Sequence, residues 1–457
     1  MMKSLPTDFI SAMQQLLGAD EAQRLFDELT REPVVSIRLN PQRAAQGHSF
    51  PLSERVPWCE TGYYLAERPL FTLDPLFHAG AYYVQEAASM FLEQVMKQHL
   101  GDEPVAMLDL CAAPGGKSTH ARALLPEGSL LVSNEVMKAR AQVLAENLTK
   151  WGHPDVVVTR SDPSDYGQLT EAFDVILTDV PCSGEGMFRK DEGAVADWSL
   201  ENVELCSQRQ RRIVADVWPA LKGGGLLIYS TCTYNRKEDE ENVAWICSEL
   251  GGEALPVEVK PEWGITGHYH FYPHRTKGEG LFMAVIRKEG DSLASTAYRP
   301  GKGSNGKQRT KEAAVDKKVE AQLRGWLNDT EGAYTLLPQG DKVLAFKRAW
   351  LPLLQRLKSQ LYLLQAGVAV AEVKGKDLIP HHALAMSTLL KRGTFPEAQL
   401  MPDQSLTYLR RDVITLPAET PKGYLLLTYQ GHPLGFVKHL GNRTNNLYPP
   451  EWRIRHL

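Results

Sequence analysis

Apolar positions along this chain recur with two different periods, and the change between them marks its parts. Residues 9–17 (Phe9-Ile-Ser-Ala-Met-Gln-Gln-Leu-Leu17) and 21–29 (Glu21-Ala-Gln-Arg-Leu-Phe-Asp-Glu-Leu29) repeat at helical spacing and predict two amphipathic helices. Pro33-Val-Val-Ser-Ile-Arg-Leu-Asn40 predicts a strand halted by Pro41; its Arg38 and Asn40 mark either an exposed edge or an RNA contact. A run starting at Tyr82 leads into a further helix. From Met107 strands alternate with helices: strands at 107–109, 130–135, 155–160, 173–179 and 224–232, helices at 119–125, 138–148 and about 203–221. These strands are apolar on both faces, as in a parallel sheet covered on both sides. Residues 268–274 and 280–287 predict an antiparallel pair at one edge. Short strands at 334–338, 342–346, 361–365 and 368–372, a helical stretch at 380–391 and a hairpin about Gly431-His-Pro433 complete the chain.

The pattern predicts a small α+β extension (1–75), an α/β Rossmann-like core (76–290), a polar linker (291–318), an α+β intermediate domain (319–390) and a strand-rich terminal domain (391–457). A length of 457 residues requires several domains. Apolar content of 43% and charged content of 23% are globular, and no apolar run approaches the ~18 residues of a membrane span. The N-terminal residues lack a signal-peptide core, and the six cysteines include no CxxC pair, so no metal site, a reduced cytoplasmic location and a monomer are the expectations. Net charge is −4, so any nucleic-acid surface must be local. One such stretch is the C-terminus, where Lys422, Lys438, Arg443, Arg453 and Arg455 face the single acid Glu451, with Phe436, Tyr448 and Trp452 interleaved; a merely solvated face is the alternative.

Met107-Leu-Asp-Leu-Cys-Ala-Ala-Pro-Gly-Gly-Lys-Ser118 is a strand, glycine turn and helix start: the opening of a nucleotide-binding sheet. Three ligands compete for it. The dinucleotide pattern G-x-G-x-x-G cannot be fitted. Gly116-Lys117-Ser118 meets the end of a P-loop, and Val175-Ile-Leu-Thr-Asp179 resembles a Mg²⁺-holding strand, but Cys111 stands where the first glycine belongs. S-adenosylmethionine (AdoMet) makes further demands that the chain meets. Glu135 closes the second strand, roughly 20 residues past the turn, where an acid holds ribose hydroxyls. Asp162 follows the third strand, placed to accept from an adenine amino group, and Asp179 closes the fourth. Each acid could instead cap the next helix; all three at the carboxyl ends of successive strands favours the AdoMet pocket.

Asp179-Val-Pro-Cys-Ser-Gly184 and Ser230-Thr-Cys-Thr233 place Cys182 and Cys232 at two strand ends. If those strands are adjacent, both sulfurs face one crevice; inert core filling is the alternative. Carbon 5 of a pyrimidine is a poor nucleophile until a thiolate adds at C6, so two thiols beside a methyl donor suit methylation of a flipped or single-stranded cytosine. A carboxyl such as Asp179, in a dry pocket, could stabilise the adduct at N3.

With Ala113-Pro-Gly-Gly-Lys117, the two cysteine motifs resemble those of the NOL1/NOP2/Sun family of RNA 5-methylcytosine methyltransferases. The resemblance spans residues 1–290 and includes Arg38-Leu-Asn40, Gln85-Glu-Ala-Ala-Ser89, Gln208-Arg-Gln210, Pro273-His-Arg275 and Gly280-Leu-Phe282. It implies a Rossmann-like AdoMet-dependent methyltransferase core, Cys232 as nucleophile and Cys182 as the thiol that helps release product. Cys111, Ala112, Ala113, Pro114, Gly115, Gly116, Lys117, Glu135, Asp162 and Asp179 would line the AdoMet pocket, with Asp179 also near the cytosine. Lys190 would touch substrate or be a surface lysine. The basic tail is similar to that of bacterial ribosomal-RNA members. That implies a PUA-like RNA-binding domain over 391–457, an RNA-binding role for the N-terminal extension, and as target a decoding-region cytidine of 16S ribosomal RNA in the small subunit. Arg38, Lys190, Lys438 and Arg443 are the candidate RNA contacts. Another rRNA or tRNA cytidine, a P-loop ATPase, and a binding module with a vestigial pocket stay open.

Overall fold

The computed structural model describes residues 5–43, 48–267, 269–290 and 315–455; residues 291–314 of the expected linker, and His268, lie outside the described residues. Helices Thr7–Leu17 and Ala19–Leu29 form a hairpin whose Phe9, Met13, Leu25 and Phe26 pack against Phe188 and Trp198. Strand β1 (Ser36–Leu39) then runs antiparallel between β2 (Gly62–Tyr64) and β3 (Tyr82–Val84). It is the centre of its sheet, not an edge.

The core is a twisted sheet. Strands β4 (Ala106–Asp109), β5 (Leu130–Asn134), β6 (Val156–Thr159), β7 (Phe173–Asp179) and β8 (Leu221–Thr231) run parallel in the order β6-β5-β4-β7-β8. Short β9 (Gly252–Leu255) and β10 (His270–Phe271) pair antiparallel with β11 (Leu281–Lys288), which continues the sheet beyond β8. Side chains alternate across each strand, so Met107, Leu131 and Leu177 face the helices Gly116–Leu124 and Lys138–Trp151. Their neighbours Leu108, Val132 and Ile176 face Leu200–Val217, Glu240–Leu250 and Leu351–Gln360. Both faces are therefore buried, as the apolar runs require. The order reverses between β4 and β7, and a ligand crevice opens outside the carboxyl ends of the strands at such a reversal. The helix expected at 203–221 stops at Val217, because Pro219 cannot extend it.

Beyond the linker, helix Lys317–Arg324 begins at Asp316, which caps it, so the last linker residues already belong to a helix. Strands β12 (Tyr334–Gln339), β13 (Lys342–Lys347), β14 (Leu363–Ala366), β15 (Val368–Lys374) and β16 (Asp377–Pro380) follow. Four form an antiparallel sheet, β12-β13-β15-β16, while β14 leaves it to pair with β6 and extend the core sheet. Leu353, Leu354 and Leu357 anchor this return on the core face. The helical stretch expected at 380–391 narrows to His382–Met386. Strands β17 (Glu397–Gln399), β18 (Gly423–Tyr429), β19 (His432–His439) and β20 (Thr444–Asn446) make the terminal sheet. Ile37, Leu76 and Tyr82 share one apolar cluster with Tyr408, Leu425, Val437 and Tyr448, so the two ends of the chain pack together. Among the described residues no helix is long and apolar enough to cross a membrane.

Candidate active site

After β4 the chain turns at Gly115, whose φ of 114° suits a residue without Cβ, and enters helix Gly116–Leu124 with no side-chain cap. The first N–H groups of that helix are thus left for a ligand. The turn is braced from behind. Ser118 Oγ donates to Asp109 Oδ2 at 2.6 Å, Ala112 N donates to Asn134 O at 2.8 Å, and Asn134 Nδ2 donates to Leu110 O at 3.1 Å. Burial pushes the Asp109 carboxyl up to about 7. Asp109 was visible in sequence only as the end of an apolar run.

Three acids stand along the crevice in different states. Glu135 is buried after β5, accepts from Met137 N at 2.9 Å and lies 3.3 Å from Arg140 Nη1, while Arg140 Nη2 donates to Ala113 O at 2.8 Å. Asp162 is exposed and accepts from Ser164 N and Oγ at 3.1 and 2.8 Å, which lowers its carboxyl below the usual range. Asp162 thus also caps the short helix Pro163–Gln168. Asp179 is not in the dry pocket expected of it: its side chain is 36% exposed and its Oδ2 meets Lys117 Nζ at 2.9 Å. Burial opposes the Lys117 charge, yet Asp179 raises that pKa above the ordinary lysine value. Lys117 thus crosses from the glycine turn to the end of β7.

Strands β7 and β8 are neighbours, with Asp179 opposite Ser230. This brings Cys182 and Cys232, both free thiols, to 2.9 Å between sulfurs. Contact with Cys232, then burial, pushes the Cys182 thiol well above its ordinary value and leaves it carrying its proton. Two buried carboxyls absent from the sequence reading clamp the loops together. Glu185 accepts from Tyr234 N, Asn235 N and Trp198 Nε1 at 2.7, 3.1 and 3.0 Å. Glu238 accepts from Ser183 N and Gln210 Nε2 at 3.0 and 2.6 Å. Burial raises both, Glu185 to about 7.

Gly186 closes the clamp: its N–H donates to Cys232 O at 2.8 Å, and a Cβ there would stand 2.5 Å from Gly280 O and 2.9 Å from Cys232 O. Gly186→Ala is expected to lower kcat about tenfold or more by parting the thiols, with AdoMet affinity kept in calorimetry.

The candidate RNA contacts separate. Arg38 is corrected outright: it is 0% exposed, donating to Gln85 Oε1 and Thr119 Oγ1 at 2.7 Å each beneath the glycine-turn helix, with Trp151 stacked at 4.4 Å. Asn40 is equally buried, donating to Gly80 O and Trp151 O. Lys190 lies 3.5 Å from Glu279 and keeps 30% of its side chain exposed. Lys438 lies over Tyr424, 3.8 Å from Asp377, and Arg443 is exposed on the β19–β20 turn. Phe436 and Tyr448 are core residues and offer no ring to a base.

A family described as 16S rRNA methyltransferase RsmB/F matches residues 95–287. The N-terminal domain of 16S rRNA methyltransferase RsmF matches residues 5–87, and the methyltransferase RsmF PUA domain matches residues 396–454. The ribosomal RNA small subunit methyltransferase F of Aeromonas salmonicida is 31% identical over 478 residues, covering 98% of this chain and 97% of that one. Among solved structures, a methyltransferase homolog protein from Pyrococcus horikoshii is 25% identical with a TM-score of 0.54, over 62% of this chain and 95% of that one. NSun6 from Pyrococcus horikoshii with SFG shares the fold at 21% identity and a TM-score of 0.53, over 64% of this chain and 100% of that one.

Proposed function

The chain belongs to the ribosomal RNA small subunit methyltransferase F family, and from that premise we propose that it forms 5-methylcytidine in 16S ribosomal RNA through a covalent Cys232–cytosine adduct. It is an AdoMet-dependent RNA methyltransferase. The chain's own residues fit AdoMet: an uncapped helix start behind a left-handed glycine, a buried Glu135 at the next strand end, and Asp162 beyond it. Cys111, Ala112, Ala113, Pro114, Gly115, Gly116 and Lys117 would form its cradle. Bound there, it supplies an electrophilic methyl group.

The observation that carries the reading is the pair of thiols 2.9 Å apart at the ends of adjacent parallel strands, beside the Lys117–Asp179 ion pair. Cys232 Sγ adds to C6 of the cytosine, and the C5–C6 π electrons become available at C5 to take the methyl group. Solvent water at the open end of the crevice, where Asp179 is 36% exposed, takes the C5 proton, the C–H electron pair restores the double bond, and the Sγ–C6 bond breaks to return the thiolate. Cys182, held as a neutral thiol against Cys232, assists that release. In this reading Asp179 accepts from the cytosine's amino group and Lys117 offsets charge developing on the ring. A small-subunit target is supported by the relatives' name and the decoding region by the family resemblance. Incubating the protein with labelled AdoMet and 16S rRNA or small subunits, followed by bisulfite mapping, is expected to place 5-methylcytidine at a decoding-region cytidine. Label on another base, or none, overturns the reading.

Lys438 and Arg443, on the terminal sheet, are the RNA contacts this reading retains there. Truncating that sheet would bare the cluster it shares with β1 and β3, so charge reversal is the cleaner probe. Lys438→Glu and Arg443→Glu are each expected to weaken RNA binding and reduce the salt slope by roughly 1, with AdoMet affinity unchanged.

A further inference from the structure

Cys232 lies between two threonines whose side chains are fully buried, and both turn to the same atom. Thr231 Oγ1 donates to Asp239 Oδ1 at 2.5 Å and Thr233 Oγ1 to the same oxygen at 3.0 Å. Asp239 precedes helix Glu240–Leu250 but does not cap it with its side chain, and it is 0% exposed. With both neighbours fastened to one acceptor, the residue between them is turned the other way, and its sulfur meets Cys182. Resting on the reading of Cys232 as nucleophile, we infer that Asp239 is a positioning residue for that thiol, acting as a shared hydrogen-bond acceptor and not as a charge.

The far side of Asp239 supports the second half of that statement. Its Oδ2 is buried with no hydrogen-bond partner and lies 4.0 Å from His270 Nδ1, itself without one. Burial pushes this carboxyl well above the usual range. A neutral carboxyl and an amide offer the same pattern here: one oxygen toward the threonines, one donor toward His270. Glu240, at 3.0 Å from His270 Nε2, fixes the ring from its other side.

The test compares Asp239→Ala, Asp239→Asn and the near-isosteric pair Thr231→Val/Thr233→Val. Asp239→Ala is expected to lower kcat about 100-fold, the scale of a misplaced reacting group, while AdoMet affinity holds and alkylation of Cys232 by iodoacetamide speeds up as the turn loosens. Asp239→Asn is expected to keep kcat within about threefold of wild type. The valine pair is expected to match Asp239→Ala, and combining the two to add little, since they remove the same bonds. An unchanged kcat in the valine pair, or an asparagine no better than alanine, overturns the inference. Should Cys232→Ala still transfer methyl groups, the nucleophile reading fails instead. Alkylation of Cys232 then judges Asp239 alone, and a rate unmoved by Asp239→Ala or the valine pair overturns its positioning role.

Discussion

Cys182→Ala is expected to leave the protein covalently attached to its RNA: supplied with AdoMet and substrate, it should yield a complex that survives denaturant and disappears on nuclease treatment. Cys232→Ala should give neither complex nor product, with methyl transfer down by roughly 10⁴ or more, the scale on which loss of a nucleophile is felt. The asymmetry follows from the environment of Cys182, 2.9 Å from Cys232. Contact with Cys232, then burial, pushes the Cys182 thiol well above its ordinary value, so it is poorly suited to attack and better suited to assist departure. Without it the adduct forms and is methylated, but elimination stalls. The double variant Cys182→Ala/Cys232→Ala should lose the complex again. A denaturant-stable complex with Cys232→Ala would sink the assignment of roles.

The core fold was legible because its strands are apolar on both faces and end in acids that do not belong to an apolar core: Asp109, Glu135 and Asp179. What the sequence could not supply was register. That Asp179 lies opposite Ser230 depends on β7 meeting β8 across some fifty residues, and only that pairing brings the thiols together. The carboxyls that fix the thiol loops were hidden for a different reason. Glu185, Glu238 and Asp239 stand in polar stretches, and nothing local reveals that Glu185 and Glu238 are buried against backbone N–H groups of the opposite loop and Asp239 against the hydroxyls that flank Cys232. Gln210, within the Gln208-Arg-Gln210 motif, joins Glu238 to Pro181 O beside Cys182. Along the C-terminal half, the strand at 363–366 reads like its neighbours, yet Leu353, Leu354 and Leu357 draw it onto the core sheet. Side-chain pattern identifies a strand; it does not say which sheet receives it.

Arg38→Ala is expected to weaken AdoMet binding about tenfold or more in calorimetry and to lower stability by about 3–5 kcal/mol in urea unfolding, although the residue never faces the crevice. An arginine on an apolar strand suggested an edge because an unpaired guanidinium is seldom buried. Here β1 is flanked on both sides, and the guanidinium passes under the helix that follows the glycine turn. Its removal leaves Gln85 Oε1 without its donor, deprives Thr119 of a bond one turn from the glycines, and opens a cavity beside Trp151. Thr119 Oγ1 in turn donates to Gly115 O at 2.8 Å, so the loss is passed to the residue whose left-handed φ shapes the turn. Arg38→Lys should recover little of it, because a single ammonium cannot hold Gln85 and Thr119 as a fork does. An AdoMet affinity unchanged in Arg38→Ala would mean that the N-terminal sheet is merely attached to the catalytic core; a parallel fall in affinity and stability makes it part of the pocket's wall.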